Sequence, residues 1–328
     1  MNICIVARGL KIPVTNYGGT ERVIWGLGKE LHAMGHSITF LVPPGSHCDF
    51  ARILTLDENE DLNDQIPEDI DLVHLNYTPK NSLRKPSLIT MHGNPGPTEE
   101  LDINTVFISK NHAARYNADV FVYNGLLWED YPAPILDKSR NGYHFLGKAK
   151  WSVKNAVGAM EIARLLKEEL SVIGGKKWTS RNFKNGFFHL FNNNIKFYGY
   201  LGNEKKQTVM ERSKGLIFPV LWHEPFGLAI IESLYAGCPV FGTEFGSLKE
   251  LITPEIGFTS NSIKELASAI ESFKADPQTC HNYARDHFNS KKMTLAYLDL
   301  YKRVLNGEQL NRKRPTYNPV LNQASKKT

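Results

Sequence analysis

NICIVA (Asn2–Ala7), TERVIWGLGKELHAM (Thr20–Met34) and SITFLV (Ser37–Val42) follow one another at the start of the chain. The first and last are short β-branched, apolar runs of the kind that forms parallel strands buried on both faces. The middle one is amphipathic at helical spacing. Strand, helix and strand in that order set up a parallel sheet. Working outward, the same rhythm continues through strand candidates at Asp71–Leu75, Ser87–Met91, Thr105–Ile108 and Val120–Tyr123. Beyond Pro132 and Pro134 it resumes with Tyr143–Gly147, a helix over Val153–Lys167, then Leu170–Ile173, Ile195–Tyr198, Gly215–Pro219, Pro239–Gly242 and Gly257–Thr259. The chain therefore reads as α/β throughout, in two units with a boundary near Tyr131–Asp137.

Length and charge support that division. At 328 residues the chain suits two ordinary domains. Residues 1–134 carry 10 basic and 17 acidic side chains, net −7, whereas residues 135–328 carry 29 and 17, net +12. A basic second half suits a phosphate-bearing ligand. Its basic residues are not interleaved with aromatics, so nucleic acid is not expected as a partner. Cys4, Cys48, Cys238 and Cys280 are scattered and read as buried thiols. No uncharged apolar run of 18 residues occurs and the amino terminus lacks a basic start, so a cytoplasmic protein is expected. The last helical run, Lys291–Leu305, places Met293, Ala296, Tyr297, Leu300, Tyr301 and Val304 at helical spacing and must pack on something. The tail from 308 to 328 is polar, basic and interrupted by Pro315 and Pro319, which predicts disorder.

The segment richest in chemistry is His223–Val240, HEPFGLAIIESLYAGCPV. Pro225 is expected in the first turn of a helix running through Phe226–Tyr235, with Gly237 as its stop. The Phe226, Gly227 and Leu228 amides would then face an anion. Glu224 and Glu232 stand eight residues apart, about 12 Å along a helix axis. That exceeds the roughly 5 to 9.5 Å of paired glycosidase carboxylates, so the two are read as touching different parts of one long ligand. An ordinary amphipathic helix with solvated glutamates satisfies the spacing as well.

Glu224, seven residues and Glu232, with PFGL after the first and AGCPV after the second, resembles the signature of the family 4 retaining glycosyltransferases. Other segments resemble that family in the same order. They are the glycine-rich Tyr17–Val23, Thr90-Met91-His92-Gly93, Phe107-Ile108-Ser109 with Asn124-Gly125, Phe145–Lys148 followed by Lys154, and Phe197–Leu201. Two positions depart from the pattern: Lys148 stands where arginine is usual, keeping the charge but losing the planar fork, and Asn155 stands where glycine commonly follows the lysine.

The resemblance implies the GT-B fold, two Rossmann-like domains facing across a cleft. Residues 1–134 would bind the acceptor, joined by a returning helix at about 291–306, and residues 135–290 would bind the donor. It further implies a retaining hexosyltransferase using a nucleoside diphosphate sugar as co-substrate and no cofactor. Glu232 would accept from the donor ribose, and Glu224 would hold the donor sugar. Lys148 and Lys154 would neutralise the departing diphosphate, and His92 would face the cleft near the transferred sugar. Gly18, Gly19, Gly199, Leu201, Phe226, Gly227 and Leu228 complete the expected donor site. With lysines where a metal would otherwise neutralise the diphosphate, metal independence is expected. The acceptor is a hydroxyl of a sugar or lipid-linked sugar, with peripheral membrane contact if lipid-linked. Two competing readings stand beside this one. An NAD-dependent oxidoreductase is disfavoured because Asn16-Tyr17-Gly18-Gly19 is not G-x-G-x-x-G. The other is a non-catalytic relative that binds a nucleotide sugar.

Overall fold

The computed structural model describes residues 1–9, 11–13, 18–176 and 192–323. The chain divides into two compact units, one made of Met1–Leu127 with Phe288–Gln323, the other of Trp128–His287. The division falls at Leu127/Trp128, ahead of the expected boundary after residue 134. The reason is aromatic packing: Trp128 lies parallel to Tyr235 at 4.1 Å between ring centroids, and Tyr131 meets the same ring edge-on, so both belong to the second unit.

In the first unit β1 (Asn2–Val6), β2 (Ser37–Val42), β3 (Arg52–Thr55), β4 (Leu72–Leu75), β5 (Ser87–Met91) and β6 (Thr105–Phe107) form a parallel sheet in the order β3-β2-β1-β4-β5-β6. Edge strand β3 has no counterpart in the sequence reading, because RILT is half-exposed and carries no buried-strand pattern. Val120–Tyr123, read as a strand, makes only an isolated parallel bridge between Phe121 and Phe107. Helix α1 (Gly19–Ala33) buries Val23, Ile24, Leu27 and Leu31. It presses close on β2: a Cβ at Gly28 would lie 2.3 Å from the Phe40 ring. Two short helices, α2 (Leu62–Gln65) and α3 (Lys110–Ala114), follow β3 and β6.

The second unit repeats the plan. Strands β7 (Tyr143–Leu146), β8 (Leu170–Ile173), β9 (Ile195–Gly199), β10 (Leu216–Phe218), β11 (Val240–Gly242) and β12 (Gly257–Thr259) are ordered β12-β11-β10-β7-β8-β9. Among the described residues its helices are α4 (Ala156–Leu165), α5 (Asn203–Met210), α6 (Leu228–Tyr235), α7 (Leu248–Leu251), α8 (Ile263–Ser272) and α9 (Pro277–His287). In each sheet the strand order reverses once, between β1 and β4 and between β7 and β10. Ligands of open parallel sheets bind outside the strand carboxyl ends at such a reversal.

Helix α10 (Ser290–Leu305) packs in the first unit, capped by the Asn289 side chain. It buries Met293, Tyr297, Leu300, Tyr301 and Val304, but Ala296, expected on the same face, is exposed. The Tyr301 hydroxyl meets His74 Nδ1 at 2.6 Å, and Thr90 Oγ1 meets both His74 Nε2 at 2.7 Å and the Tyr297 hydroxyl at 2.8 Å. Desolvation in this buried network lowers the His74 pKa to about 3.

The expected disorder of the tail is corrected over residues 308–323. Asn311 Nδ2 donates to the carbonyls of Ile103 and Thr105, and Arg115 donates to Asn322 Oδ1 at 2.8 Å. Carbonyls flanking and within β6 are satisfied by the tail, a pairing that polar composition does not reveal. Lys326 and Lys327 lie outside the described residues. Cys4, Cys238 and Cys280 are buried thiols, while Cys48 is half-buried. Among the described residues no helix is long and apolar enough to cross a membrane.

Candidate active site

The reversal point of the second sheet gathers several of the sequence-marked residues. Lys148 follows β7, its Nζ 4.5 Å from the centroid of the Trp151 ring. Ser152–Lys154 forms a 3₁₀ turn, so the helix expected from Val153 begins as α4 at Ala156. Between them Asn155 takes a left-handed conformation (φ 53°, ψ 48°). Asparagine tolerates that region better than most residues, and its side chain caps α4 by accepting from Gly158 N at 3.1 Å. Asn155 Nδ2 also donates to Pro219 O at 2.8 Å, and Leu221 N donates to Val153 O at 2.8 Å. The turn is thereby stitched to the chain leaving β10, and an asparagine in place of glycine keeps the geometry while adding two bonds.

That chain carries Glu224. Its backbone is gripped by the Gly246-Ser247 turn, with Ser247 N donating to Glu224 O at 2.9 Å and Ser247 Oγ to Phe226 O at 2.6 Å. Any Cβ at Gly246 would sit 2.3 Å from the Glu224 backbone. Glu224 Oε2 accepts from Lys154 Nζ at 2.5 Å and from Trp222 Nε1 at 2.8 Å. Oε1 accepts from none of the described residues. The expected helix start is corrected: α6 begins at Leu228, with Gly227 left-handed at φ 88° ahead of it. Pro225 and Phe226 lie in a bend ahead of the helix, where Ser247 holds Phe226 O, and the Phe226 side chain is buried. Of the three expected anion-facing amides, only that of Leu228 opens the helix.

Glu232 lies on α6. Its Oε1 accepts from the Tyr131 hydroxyl at 2.7 Å and is ion-paired with Lys206 Nζ from α5. Oε2 accepts from none of the described residues. The two glutamates are thus built alike: one oxygen is held by a lysine and an aromatic donor, and the other has no partner among the described residues. Tyr131, Lys206 and Trp222 carry half of this arrangement, and the sequence reading missed all three. Lys206 is one of two adjacent lysines on a polar helix, and nothing in that pattern tells it from its neighbour.

Gly199 ends β9 and Leu201 follows it, two strands from the reversal point. Gly174 N donates to Gly199 O at 2.6 Å, Gly199 N to Gly175 O at 3.2 Å and Ala149 N to Gly174 O at 3.1 Å. A Cβ at Gly174 would lie 2.2 Å from Gly147 O. The Gly174-Gly175 pair therefore serves close packing of the strand-end loops. Tyr198 and Tyr200 flank Gly199 with exposed rings.

In the first unit Gly18 and Gly19 open α1, whose start has no side-chain cap; Tyr17 of the same motif lies outside the described residues. His92 follows β5, and its Nε2 meets Asn76 Oδ1 at 2.8 Å. Desolvation lowers the His92 pKa to about 4, so the ring is neutral at pH 7. Asn124-Gly125 closes onto the returning chain: a Cβ at Gly125 would lie 2.1 Å from Asn289 O. One Asp-x-Asp segment, Asp69-Ile70-Asp71, precedes β4, and both carboxylates have structural partners: Asp69 pairs with Arg52 and Asp71 accepts from Asn2 N. Among the described residues no cluster of three or more His, Cys, Asp or Glu could hold a metal ion.

Residues 130–289, which lie almost wholly in the second unit, match the family model of glycosyl transferases, group 1. The phosphatidyl-myo-inositol mannosyltransferase of Propionibacterium freudenreichii subsp. shermanii is 24% identical over 161 residues, 47% of this chain and 40% of that protein. The chain therefore matches well under half of that relative's length. Among solved structures, AviGT4, a glycosyltransferase involved in avilamycin A biosynthesis, superposes with a TM-score of 0.79 at 18% identity, covering 93% of this chain and 98% of that one. Anabaena HepE in complex with UDP-glucose superposes with a TM-score of 0.65 at 13% identity, covering 92% and 99%. At these identities the likeness shows the fold, which is GT-B.

Proposed function

We propose that this chain is a retaining glycosyltransferase that moves a sugar from a nucleoside diphosphate sugar onto a hydroxyl acceptor without a metal ion. The observation that carries the reading is the pair of lysine-held glutamates, Glu224 and Glu232, each with one oxygen unengaged by the described residues, within the segment that matches the group 1 glycosyl transferase model. Glu232 Oε2 accepts the donor ribose hydroxyls, and Glu224 Oε1 holds the donor sugar. Lys148 and Lys154 stabilise the charge that develops on the leaving diphosphate. The acceptor oxygen bonds to the anomeric carbon on the face from which the diphosphate leaves, and the leaving phosphate oxygen takes the acceptor proton, so no enzymic nucleophile is required. In the second unit Gly199, Leu201, Phe226, Gly227 and Leu228 line the donor's path, and in the first Gly18 and Gly19 are offered to a ligand at the start of α1.

The acceptor is a sugar or lipid-linked sugar in surface polysaccharide or glycolipid assembly, a reading supported by the name of the mannosyltransferase relative. The exposed Arg312, Lys313 and Arg314 supply charge for an anionic membrane surface. A thermal shift panel of nucleoside diphosphates and their sugars tests the donor class, since a ligand at 100 times its Kd adds about 2.7 kcal/mol. Transfer and donor hydrolysis are then followed in EDTA. A shift with nicotinamide dinucleotides alone overturns the class, binding without turnover marks a non-catalytic relative, and activity lost in EDTA and restored by manganese overturns metal independence.

A further inference from the structure

His92 does not choose its own proton position; Asn76 does. Val6 ends β1, Asn76 follows β4 and His92 follows β5, so all three meet at the strand carboxyl ends of the first sheet. Asn76 N donates to Val6 O at 3.0 Å, and Asn76 Nδ2 donates to the same carbonyl at 3.1 Å. A backbone carbonyl only accepts, so the amide cannot be turned the other way without setting Oδ1 against Val6 O. Oδ1 therefore faces His92, whose Nε2 lies 2.8 Å away. An amide oxygen also only accepts, so the proton of the neutral ring sits on Nε2 and the lone pair on Nδ1. The hydrogen bond made by one imidazole nitrogen sets the state of the other. Nδ1 accepts from none of the described residues.

We infer that Asn76 is a positioning residue that holds His92 as its Nε2–H tautomer and so presents Nδ1 as a hydrogen-bond acceptor to a substrate hydroxyl. The substrate half of this statement rests on the glycosyltransferase reading; the tautomer does not. The same face of the sheet supports the arrangement one rung lower, where His74 and Thr90 pair beneath Tyr297 and Tyr301.

Long-range proton–nitrogen correlation spectra of protein labelled with ¹⁵N-histidine read the tautomer directly, with His92→Gln identifying the signals. At pH 7 the wild-type His92 ring should show a protonated Nε2 and a bare Nδ1. Asn76→Leu, which keeps the backbone bond to Val6, should abandon that pattern and lower kcat. The drop expected is about 10-fold to 100-fold, the range seen when the partner that orients a metal-bound histidine is removed. Asn76→Asp keeps an acceptor oxygen for Nε2–H, with its second oxygen set against Val6 O, and should still retain both the protonated Nε2 and more of the activity than the leucine variant. A proton on Nδ1 in the wild type, an unchanged tautomer in Asn76→Leu, or equal activity loss in the two variants overturns the inference. A wild-type protein with the assigned tautomer and no sugar transfer sinks the functional reading while leaving the tautomer assignment standing.

Discussion

Lys206 and Glu232 form an ion pair in which neither residue exposes a tenth of its surface, at 7% and 8%. The Tyr131 hydroxyl shares the same carboxylate oxygen, Oε1. Removing two charges from water is costly, and the pair repays that only through good geometry and added hydrogen bonds. Here the tyrosine supplies the added bond, and the arrangement leaves Oε2 without a partner among the described residues. Lys154 and Trp222 treat Glu224 in the same way on its Oε2.

Breaking the first pair from one side should be costly. Lys206→Met leaves a buried carboxylate with a single neutral partner and should lower stability by roughly 3 kcal/mol. Adding Glu232→Gln to that variant should restore more than half of the loss, because the uncompensated charge is gone. Denaturant titrations of the wild type, both single variants and the double variant measure the coupling; strict additivity would mean that the two residues do not act as a pair.

The two glutamates should fail in different ways. Glu232→Gln weakens a contact made equally before and during reaction, so the donor KM should rise with little change in kcat. Glu224→Gln should lower kcat by about 10²-fold to 10³-fold, the scale of losing one preorganised electrostatic contact. Calorimetric titration with bare nucleoside diphosphate should show weak binding by the Glu232 variant and near-normal binding by the Glu224 variant. Equal weakening would place both carboxylates on one part of the ligand.

Acid should destabilise each unit through a buried histidine. Desolvation lowers the pKa of His74 in the first unit and of His144 in the second to about 3. His144 is held between the Ser213 and Ser233 hydroxyls. Because the folded values lie below the unfolded one of about 6.5, the unfolded chain binds more protons in between. Stability is therefore complete above pH 6.5 and falls as the pH drops toward 3, by roughly 2 kcal/mol per histidine between pH 7 and 5. Thermal unfolding across that range should show the decline, and it should be shallower in His74→Gln or His144→Gln once each variant's own loss at pH 7 is subtracted. A flat profile in the wild type would contradict the buried neutral assignment.

Membrane attachment should depend on charge rather than on the docked part of the tail. Replacing Arg312, Lys313 and Arg314 together by serine removes three exposed cations, worth about 1 kcal/mol each near an anionic surface. The bonds made by Asn311 and Asn322 should remain. Sedimentation with anionic vesicles should show the wild type bound and the triple variant largely released. Equal sedimentation of the two proteins would remove the basic segment from any membrane role.

The α/β class, the two units and the strands at Ser37–Val42, Ser87–Met91 and Leu170–Ile173 were determined by the sequence alone, since a strand buried on both faces must be apolar and that pattern is local. The same holds for the motif residues around Glu224 and Glu232. Tertiary structure decided what holds them. Tyr131 reaches Glu232 across 101 residues and Lys206 across 26, and no spacing rule links such positions. The start of α6 was decided by the Gly246-Ser247 turn gripping Glu224, and the order of residues 308–323 by carbonyls at β6 that the tail satisfies. The proton on His92 depends on the register that sets Val6, Asn76 and His92 side by side at the ends of β1, β4 and β5. Hydrogen-bond partners are selected at distances near 3 Å, and only the packed sheet brings residues so far apart in the chain to that range.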